Sequence, residues 1–387
     1  MSIDEGVRMP LERPELPDSA RAVFRALAVD GPASRPALSE ALGISKVTMS
    51  AAIGELESLG LVRSQGMTRG ATGRSAVLYT LAPGAGHVLG VEVGATRVRV
   101  AAHSLDGLRI STRTEALASH HRQVTTDATA VAIALVETVR AEVGEDYGPL
   151  RGVVIAAPTL PKAGPAGRQL LDGVQLLTTE LPVPPEVPMS VENNVNCAAV
   201  AEHRIGVARD YGTFAYLQIG VKIGVGLIID GALLRGTHGA AGEVAMVPFP
   251  WAPGVRPRRA GLEEYLGSDA LMERCAAAWP TGGTPVPKDA VALFDAAAGG
   301  DAHARRVVDE HARDIGALVV SVLAVFDPGL IVLGGGVGQN QLVLPEVRRT
   351  VQALAWDTEV TAGALGDHAT LLGAVHTAIG RALDAIA

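Results

Sequence analysis

Two stretches of this chain, one in each half, run apolar strand, glycine turn, apolar strand. In the first, Val88 to Val93 and Thr96 to His103 read as strands around Gly94. In the second, Phe214 to Gly231 reads as two strands joined at Gly220-Val221-Lys222-Ile223-Gly224. Continuous apolar runs of this length, bounded by glycine, fit strands buried on both faces. The same opening in each half predicts two related α/β lobes. No repeat of 20–50 residues runs through the chain, which excludes a solenoid or propeller. The 387 residues include 45 Gly, are 48% hydrophobic and only 3% aromatic, as suits many strand–turn–helix joints over cores of Ala, Val and Leu.

The remaining body elements follow from periodicity. A third strand is expected near Leu108 to Thr114, a helix over 126–143 and a buried strand from Gly152 to Ala157. Residues 158–188 are Pro-rich and read as irregular, and a helix runs from Asn194 to about His203. Helices are expected at about 262–278, 287–298 and 301–326. A short strand, Leu330 to Leu333, ends in Gly334-Gly335-Gly336, and two helices close the chain.

The first 82 residues have a different grammar. Residues 1–18, rich in Pro and charge, read as a flexible arm. Ala20, Val23, Phe24 and Leu27 then follow helical spacing to Gly31-Pro32. Ser34 caps a second helix with Pro36 in its first turn, where Ala37, Leu38, Ala41 and Leu42 supply apolar positions. Ser45 caps a third, with Met49, Ala52, Ile53, Leu56 and Leu59 as one stripe. A strand starts at Leu61-Val62, Gly66 to Gly73 reads as a turn, and Ser75 to Leu81 as a second strand. Three helices followed by a β-hairpin make the plan of a winged helix-turn-helix over 19–82, with its third helix suited to a major groove. Ser45, Lys46, Thr48, Ser50 and Ala51 on that helix, with Val47, are the candidates for phosphate, base-edge and thymine-methyl contacts. Arg69 and Arg74 on the hairpin suit phosphates or a minor groove. A helical domain used only for dimerisation is the alternative.

Charge is permissive for nucleic acid only locally. Residues 1–82 hold nine basic and nine acidic side chains, so the net charge of −8 lies in the rest of the chain. Within 31–82 five basic residues meet three acidic ones. Two cysteines, Cys197 and Cys275, cannot form a disulfide framework or a four-Cys zinc site. The absence of an apolar run of about 18 residues or of a signal-type apolar core predicts a soluble, cytoplasmic chain.

From about Ser34 onward the chain resembles the ROK family of repressors, open reading frames and kinases. Ile44-Ser45-Lys46-Val47-Thr48-Met49-Ser50, Gly60-Leu61-Val62 and Gly73-Arg74-Ser75-Ala76 are similar to the head of ROK repressors. Leu89-Gly90-Val91-Glu92-Val93-Gly94-Ala95-Thr96 resembles the first phosphate turn of the kinase body, and Glu192 to Glu202 the stretch with the sugar contacts and catalytic Asp. Gly236 to Gly242-Glu243 looks like the Gly-Ala-Ala-Gly-Glu sugar segment, and Asp327-Pro328 to Gly336 like the strand beside the adenosine pocket. The resemblance implies a two-lobed actin-like ATPase (RNase H-like, sugar-kinase) body over 87–387. Lobe one would be about 87–190 with a C-terminal helix, about 370–387, and lobe two about 191–369.

The departures from the family pattern are specific. Asn194 stands where the family carries its catalytic Asp, and an amide cannot take a proton from a sugar hydroxyl near neutral pH. Lys222 intrudes in the second phosphate turn, where the family has a small hydroxyl residue. Ala245-Met246 replaces Gly-His, and residues 251–263 lack every Cys and His of the family's zinc loop, so no metal and no cofactor is expected. Asn193, Asn194, Glu243, Met246 and Glu263 remain as candidate effector contacts. A sugar, a different ligand received by the more apolar Met246, or no ligand at all are the open readings. The resemblance as a whole implies a regulator, a repressor rather than an activator. It would bind an inverted-repeat operator in double-stranded DNA as a homodimer or higher homo-oligomer. An active sugar kinase bearing a DNA-binding head is the alternative.

Overall fold

The computed structural model describes residues 16–69, 75–94, 96–117, 126–158, 160–161, 168–169, 172–280 and 284–386. Two compact units divide the chain. The first holds residues up to 159, 170–194 and 374–387; the second holds 160–169 and 195–373.

In the first unit the head consists of helices Asp18–Val29, Arg35–Leu42 and Lys46–Ser58, with strands Val62–Arg69 and Ser75–Leu81. A short strand, Ala33–Ser34, joins the hairpin as a third strand. Ala20, Val23, Phe24, Leu27, Met49, Ala52, Ile53 and Leu56 form its buried core. This is a winged helix-turn-helix. Four details differ from expectation. Leu59 is 47% exposed because the helix has ended at Ser58, and Ala37 and Ala41 face solvent, leaving Leu38 as the buried anchor of the second helix. The wing strand continues through Gly66, which the chain accommodates with a register shift between Ser64 and Gly66 rather than a turn. The expected arm over 1–18 overlaps the head at its end, since Leu16 is buried, its carbonyl accepts from Arg21 Nε at 2.8 Å, and the first helix begins at Asp18.

Behind the head lies a five-stranded sheet: His87–Val93, Arg97–Ser104 and Arg109–Ala116 antiparallel, then Leu150–Ala157 and Met189–Asn193 parallel to the first. In order of appearance the strands lie third, second, first, fourth, fifth across it. The second unit repeats that order with Phe214–Ile219, Ile223–Ile229, Ala232–Leu234, Leu330–Gly334 and Glu359–Ala362. Two sheets of identical topology, each opening on a glycine turn, make the actin-like two-lobed body. Alternation along the second sheet explains its double burial. Ala215, Leu217, Ile219, Ile331 and Leu333 pack among the helices that include Ala302–Phe326 and Leu344–Leu354, while Phe214, Tyr216, Leu330 and Val332 pack on Ala198 and Ala199 of helix Asn194–Ile205.

Besides the short strands Ala33–Ser34, Leu160–Pro161, Arg168–Gln169 and Ala232–Leu234, three elements among the described residues were not expected. Helix Asp172–Glu180 occupies part of the stretch read as irregular, strand Glu359–Ala362 closes the edge of the second sheet, and strand Met189–Asn193 carries the first sheet past residue 190. Helices Gly261–Leu266 and Ser268–Ala278 replace one continuous helix, broken at Gly267. Among the described residues no helix is long and apolar enough to cross a membrane.

Candidate functional site

The third helix of the head begins where its cap predicts. Ser45 Oγ accepts the Thr48 amide at 3.2 Å and lies 2.8 Å from Thr48 Oγ1. Both hydroxyls are therefore partly engaged with each other at the helix start. Ser45, Lys46, Thr48, Ser50 and Ala51 are all exposed, and Val47 is 82% exposed, while Met49, Ala52, Ile53 and Leu56 anchor the opposite side. The burial pattern thus fixes which side chains face outward: a mixed polar and small-apolar surface with one cation. Arg69 ends the strand Val62–Arg69, but its side chain and the whole of Arg74 lie outside the described residues.

In the body the first unit carries Asn193 and Asn194. Asn193 ends the fifth strand, and its amide donates to Glu192 Oε1 at 2.9 Å. Asn194 starts the next helix, and its Nδ2 donates to the Val93 carbonyl at 3.5 Å. Asn194 is thereby tied to the end of the strand His87–Val93. Glu92 in that strand is buried and pairs with Arg99, directly opposite it in the antiparallel register. Arg99 donates through Nε to Oε2 at 2.9 Å and through Nη2 to Oε1 at 2.8 Å. A fork-to-fork pair of this kind holds the carboxylate with both oxygens engaged. Sequence reasoning missed Arg99. Its signal was a charged residue inside an otherwise apolar alternation, Arg97-Val98-Arg99-Val100, facing a strand that itself carries one acid.

The second unit carries Glu243, Met246 and Glu263, all half-buried. The turn Val244–Met246 packs on helix Gly261–Leu266, and the Leu262 amide reaches the Val247 carbonyl at 3.3 Å, so these three residues share one neighbourhood. Gly242 sets the turn. Its φ is +79°, its carbonyl accepts from Val225 at 2.9 Å, and a Cβ there would lie 1.8 Å from the Val225 carbonyl oxygen. The turn from Gly220 to Gly224 holds half-buried Lys222, and the Gly220 carbonyl accepts the Ser268 amide at 2.8 Å at the start of a helix. One glycine of this run has a different job from cradling phosphate: a Cβ on Gly226 would lie 2.7 Å from Ala199 Cβ, so it admits helix Asn194–Ile205 against the strand.

The loop over 251–263, expected from the resemblance to stand in place of a zinc segment, is held by ordinary contacts. Phe249 and Arg258 form an antiparallel bridge with backbone bonds of 3.3 and 3.0 Å, Phe249 stacks tilted on Tyr265 at 4.7 Å, and Arg258 pairs with Glu264 at 3.0 Å. Among the described residues no group of three or more His, Cys, Asp or Glu is placed to hold a metal. Cys197 is fully buried and His238 is exposed in a turn. Beyond these, Arg274 stacks over Tyr265 at 4.5 Å and donates through Nη2 to His311 Nδ1 at 2.9 Å, while Tyr265 donates to Asp314 at 2.9 Å. Burial, then the Arg274 charge, lowers the pKa of His311 to about 3, and burial raises that of Asp314.

Comparison with known proteins agrees with the fold. The bifunctional enzyme NanE/NanK of Brucella melitensis biotype 1 is 32% identical over 189 residues. That alignment takes in 48% of this chain, which spans only 34% of the enzyme's length. The xylose repressor of Bacillus spizizenii is 23% identical over 385 residues, 95% of this chain and 96% of the repressor. A crystal structure of a ROK family transcriptional regulator, homolog of the E. coli MLC protein, superposes with a TM-score of 0.71 over 95% of this chain and 96% of its own, at 20% identity, which speaks for the fold alone. Residues 88–381 match the ROK family profile, and the chain belongs to the ROK family.

Proposed function

We propose that this chain is a DNA-binding transcription regulator, a repressor, whose kinase-like body has lost phosphoryl transfer and serves for dimerisation and for sensing a sugar or related effector. The observation that carries the reading is the head. Its third helix is capped, anchored on one side, and presents Ser45, Lys46, Thr48, Ser50 and Ala51 outward, as a groove-reading helix must. The end-to-end match to a xylose repressor supports the same reading. Arg69 and Arg74 on the wing would add phosphate contacts, and the target is an inverted repeat in double-stranded DNA, read by a two-fold dimer in the cytoplasm.

Loss of catalysis rests on three local facts. Asn194 cannot act as a base, Lys222 occupies the second phosphate turn, and the Glu92 carboxylate is already bound by Arg99. Asn193, Asn194, Glu243, Met246 and Glu263 are the proposed effector contacts. An effector would shift DNA binding only through a difference in its affinity for two arrangements of the protein.

The 32% local identity to NanE/NanK favours a second reading, an ATP-dependent sugar kinase with an added head. Two assays on the full chain separate the readings. Selection of genomic fragments at near-physiological salt is expected to enrich one inverted repeat. A coupled ADP-release assay with hexoses, hexosamines and pentoses is expected to give no turnover above background. Turnover that disappears in Glu243→Ala, with no sequence enriched, would put the kinase in place of the regulator.

A further inference from the structure

An open cavity of about 540 Å³ lies in the second unit beside helix Ala302–Phe326. Its walls are mostly apolar, and its size falls within the range of about 300–1,000 Å³ usual for small-molecule sites. Two features set it apart from an ordinary surface cleft. The first is aromatic content. The chain holds only three Trp, five Tyr and five Phe, and Phe249, Trp251, Tyr265 and Phe326 all line this one cavity. The second is charge. Asp314 is the one charged side chain among the residues that line it. Its Oδ2 accepts the Tyr265 hydroxyl at 2.9 Å, while Oδ1 takes no hydrogen bond and the carboxylate forms no ion pair among the described residues. Arg274 stacks over the Tyr265 ring but does not line the cavity, and Arg313 pairs with Glu346 at 3.0 Å. Burial raises the Asp314 pKa in spite of both arginines. Ser321, the remaining hydroxyl on the walls, donates to the Ala317 carbonyl at 2.9 Å.

We propose that this cavity is a ligand site for an organic cation with an apolar body, a hydrophobic amine or ammonium. The apolar walls receive the body of such a molecule, and aromatic faces attract its positive charge. A carboxylate drawn partly out of water costs free energy unless a cation meets it, and no side chain of the cavity supplies one. An ammonium group donating to Asp314 Oδ1 removes that cost. A neutral ligand of the same shape leaves it in place, and an anion adds to it. The site is distinct from the proposed effector contacts. Gly242, Val244, Val247, Leu262 and Leu266 line the cavity, whereas Glu243, Met246 and Glu263, interleaved with them in sequence, do not. The same turn and helix carry both sets of side chains. An occupant of the cavity therefore packs against the backbone that positions Glu243, Met246 and Glu263.

The test is calorimetric titration of the full chain at pH 7 with 4-phenylbutylamine, a cation there, and with 4-phenylbutan-1-ol, a neutral molecule of the same length. The amine is expected to bind with a Kd of about 0.1 mM, and about tenfold or more tighter than the alcohol. Asp314→Asn keeps an acceptor for the Tyr265 hydroxyl and removes the charge. It is expected to bring the amine down to the affinity of the alcohol and to leave the alcohol within about twofold of its wild-type value, with unchanged circular dichroism. Ser321→Cys locates the site. Cys197 and Cys275 are both buried, so the new thiol on the cavity wall is the accessible one. The amine at about ten times its Kd is expected to slow alkylation of that thiol by N-ethylmaleimide about tenfold. No binding of the amine at millimolar concentration would overturn the proposal. So would an alcohol that binds as well as the amine, a preference for the amine that survives Asp314→Asn, or an alkylation rate indifferent to the amine. These readouts use no DNA, so they leave the regulator reading untouched whichever way they fall.

Discussion

At the scale of single residues, burial decides the chemistry more than identity does. Glu92 is an acid inside an apolar strand, yet the guanidinium of Arg99 takes both of its oxygens, and removing one partner of such a buried pair typically costs about 3–5 kcal/mol. His311 is the clearest titrating case. It is buried against Arg274, and its pKa falls from 6.5 to about 3. Below about pH 6.5 the unfolded chain takes up a proton there that the folded chain refuses. The stability His311 contributes is therefore present above pH 6.5 and is lost as pH falls toward 3. Between pH 7 and 5 the loss from this residue is about 2 kcal/mol. Burial lowers the pKa of His87, His103 and His203 in the same direction, so the whole protein is expected to weaken over this range. His311→Gln keeps an acceptor for Arg274 and removes the titration. Urea melts at pH 7, 6 and 5 are expected to show a shallower decline for the variant by that amount. Parallel declines would mean that His311 is already accessible to protons in the fold.

At the scale of elements, the recognition helix invites a division of labour among its exposed residues. Lys46 carries the only charge in its first turn, so Lys46→Ala is expected to weaken all sequences alike and to reduce the slope of log affinity against log salt by about 1. Thr48→Ala is expected to change sequence preference more than affinity. Ser45→Ala is expected to cost about 1 kcal/mol of stability, because its oxygen caps the helix. Fluorescence titrations at four salt concentrations and a melt of each variant check all three; an unchanged salt slope for Lys46→Ala removes this helix from the groove. The helix was legible in the sequence because a cap, an apolar stripe and a flanking glycine all agree on it. So were both sheet openings. Helix Asp172–Glu180 was not, since prolines crowd the sequence on both sides and its nine residues make little more than two turns. Strand Glu359–Ala362 is four residues long with one buried side chain, too short for alternation to register. The wing was read too short because Gly66, with φ of +128°, resembles a turn glycine locally and only the partner strand Ser75–Leu81 keeps it extended. In the candidate site, Asn194, Glu243, Met246 and Glu263 are proposed from motif positions alone, whereas Arg99 left only a faint mark, a charge inside an apolar alternation, and its pairing with Glu92 is defined by opposition across two strands.

At the scale of the molecule, the head is not hung on a loose tether. The joint Pro83–Ala85 lies between two backbone contacts: a Cβ on Gly84 would stand 3.1 Å from the Gly60 carbonyl oxygen, and a Cβ on Gly148 would stand 2.6 Å from that of Gly84. Arg151 Nε donates to the Ala85 carbonyl at 3.0 Å, and His87 Nδ1 donates to that of Gly148 at 3.2 Å. Arg25 of the head also meets Asp384 of the C-terminal helix at 2.8 Å, an exposed pair that contributes little by itself. A head seated by backbone packing should demand a fixed separation of operator half-sites, near one turn of duplex, about 34–36 Å, or a multiple of it. Gly148→Val would prise the joint open and strain a φ of +64°. Gly144→Val supplies the control, because its φ of +59° brings similar strain while nothing lies within 4 Å of the added carbon. Both variants are expected to lose about 1–2 kcal/mol of stability from the left-handed backbone. Only Gly148→Val is expected to relax spacing preference, measured as affinity for the selected operator against versions with one, two and five base pairs inserted between half-sites. If wild type and Gly148→Val reject the insertions equally, the joint does not set the spacing and the dimer interface must; if the wild type tolerates every insertion, the head moves freely in solution despite its packed joint.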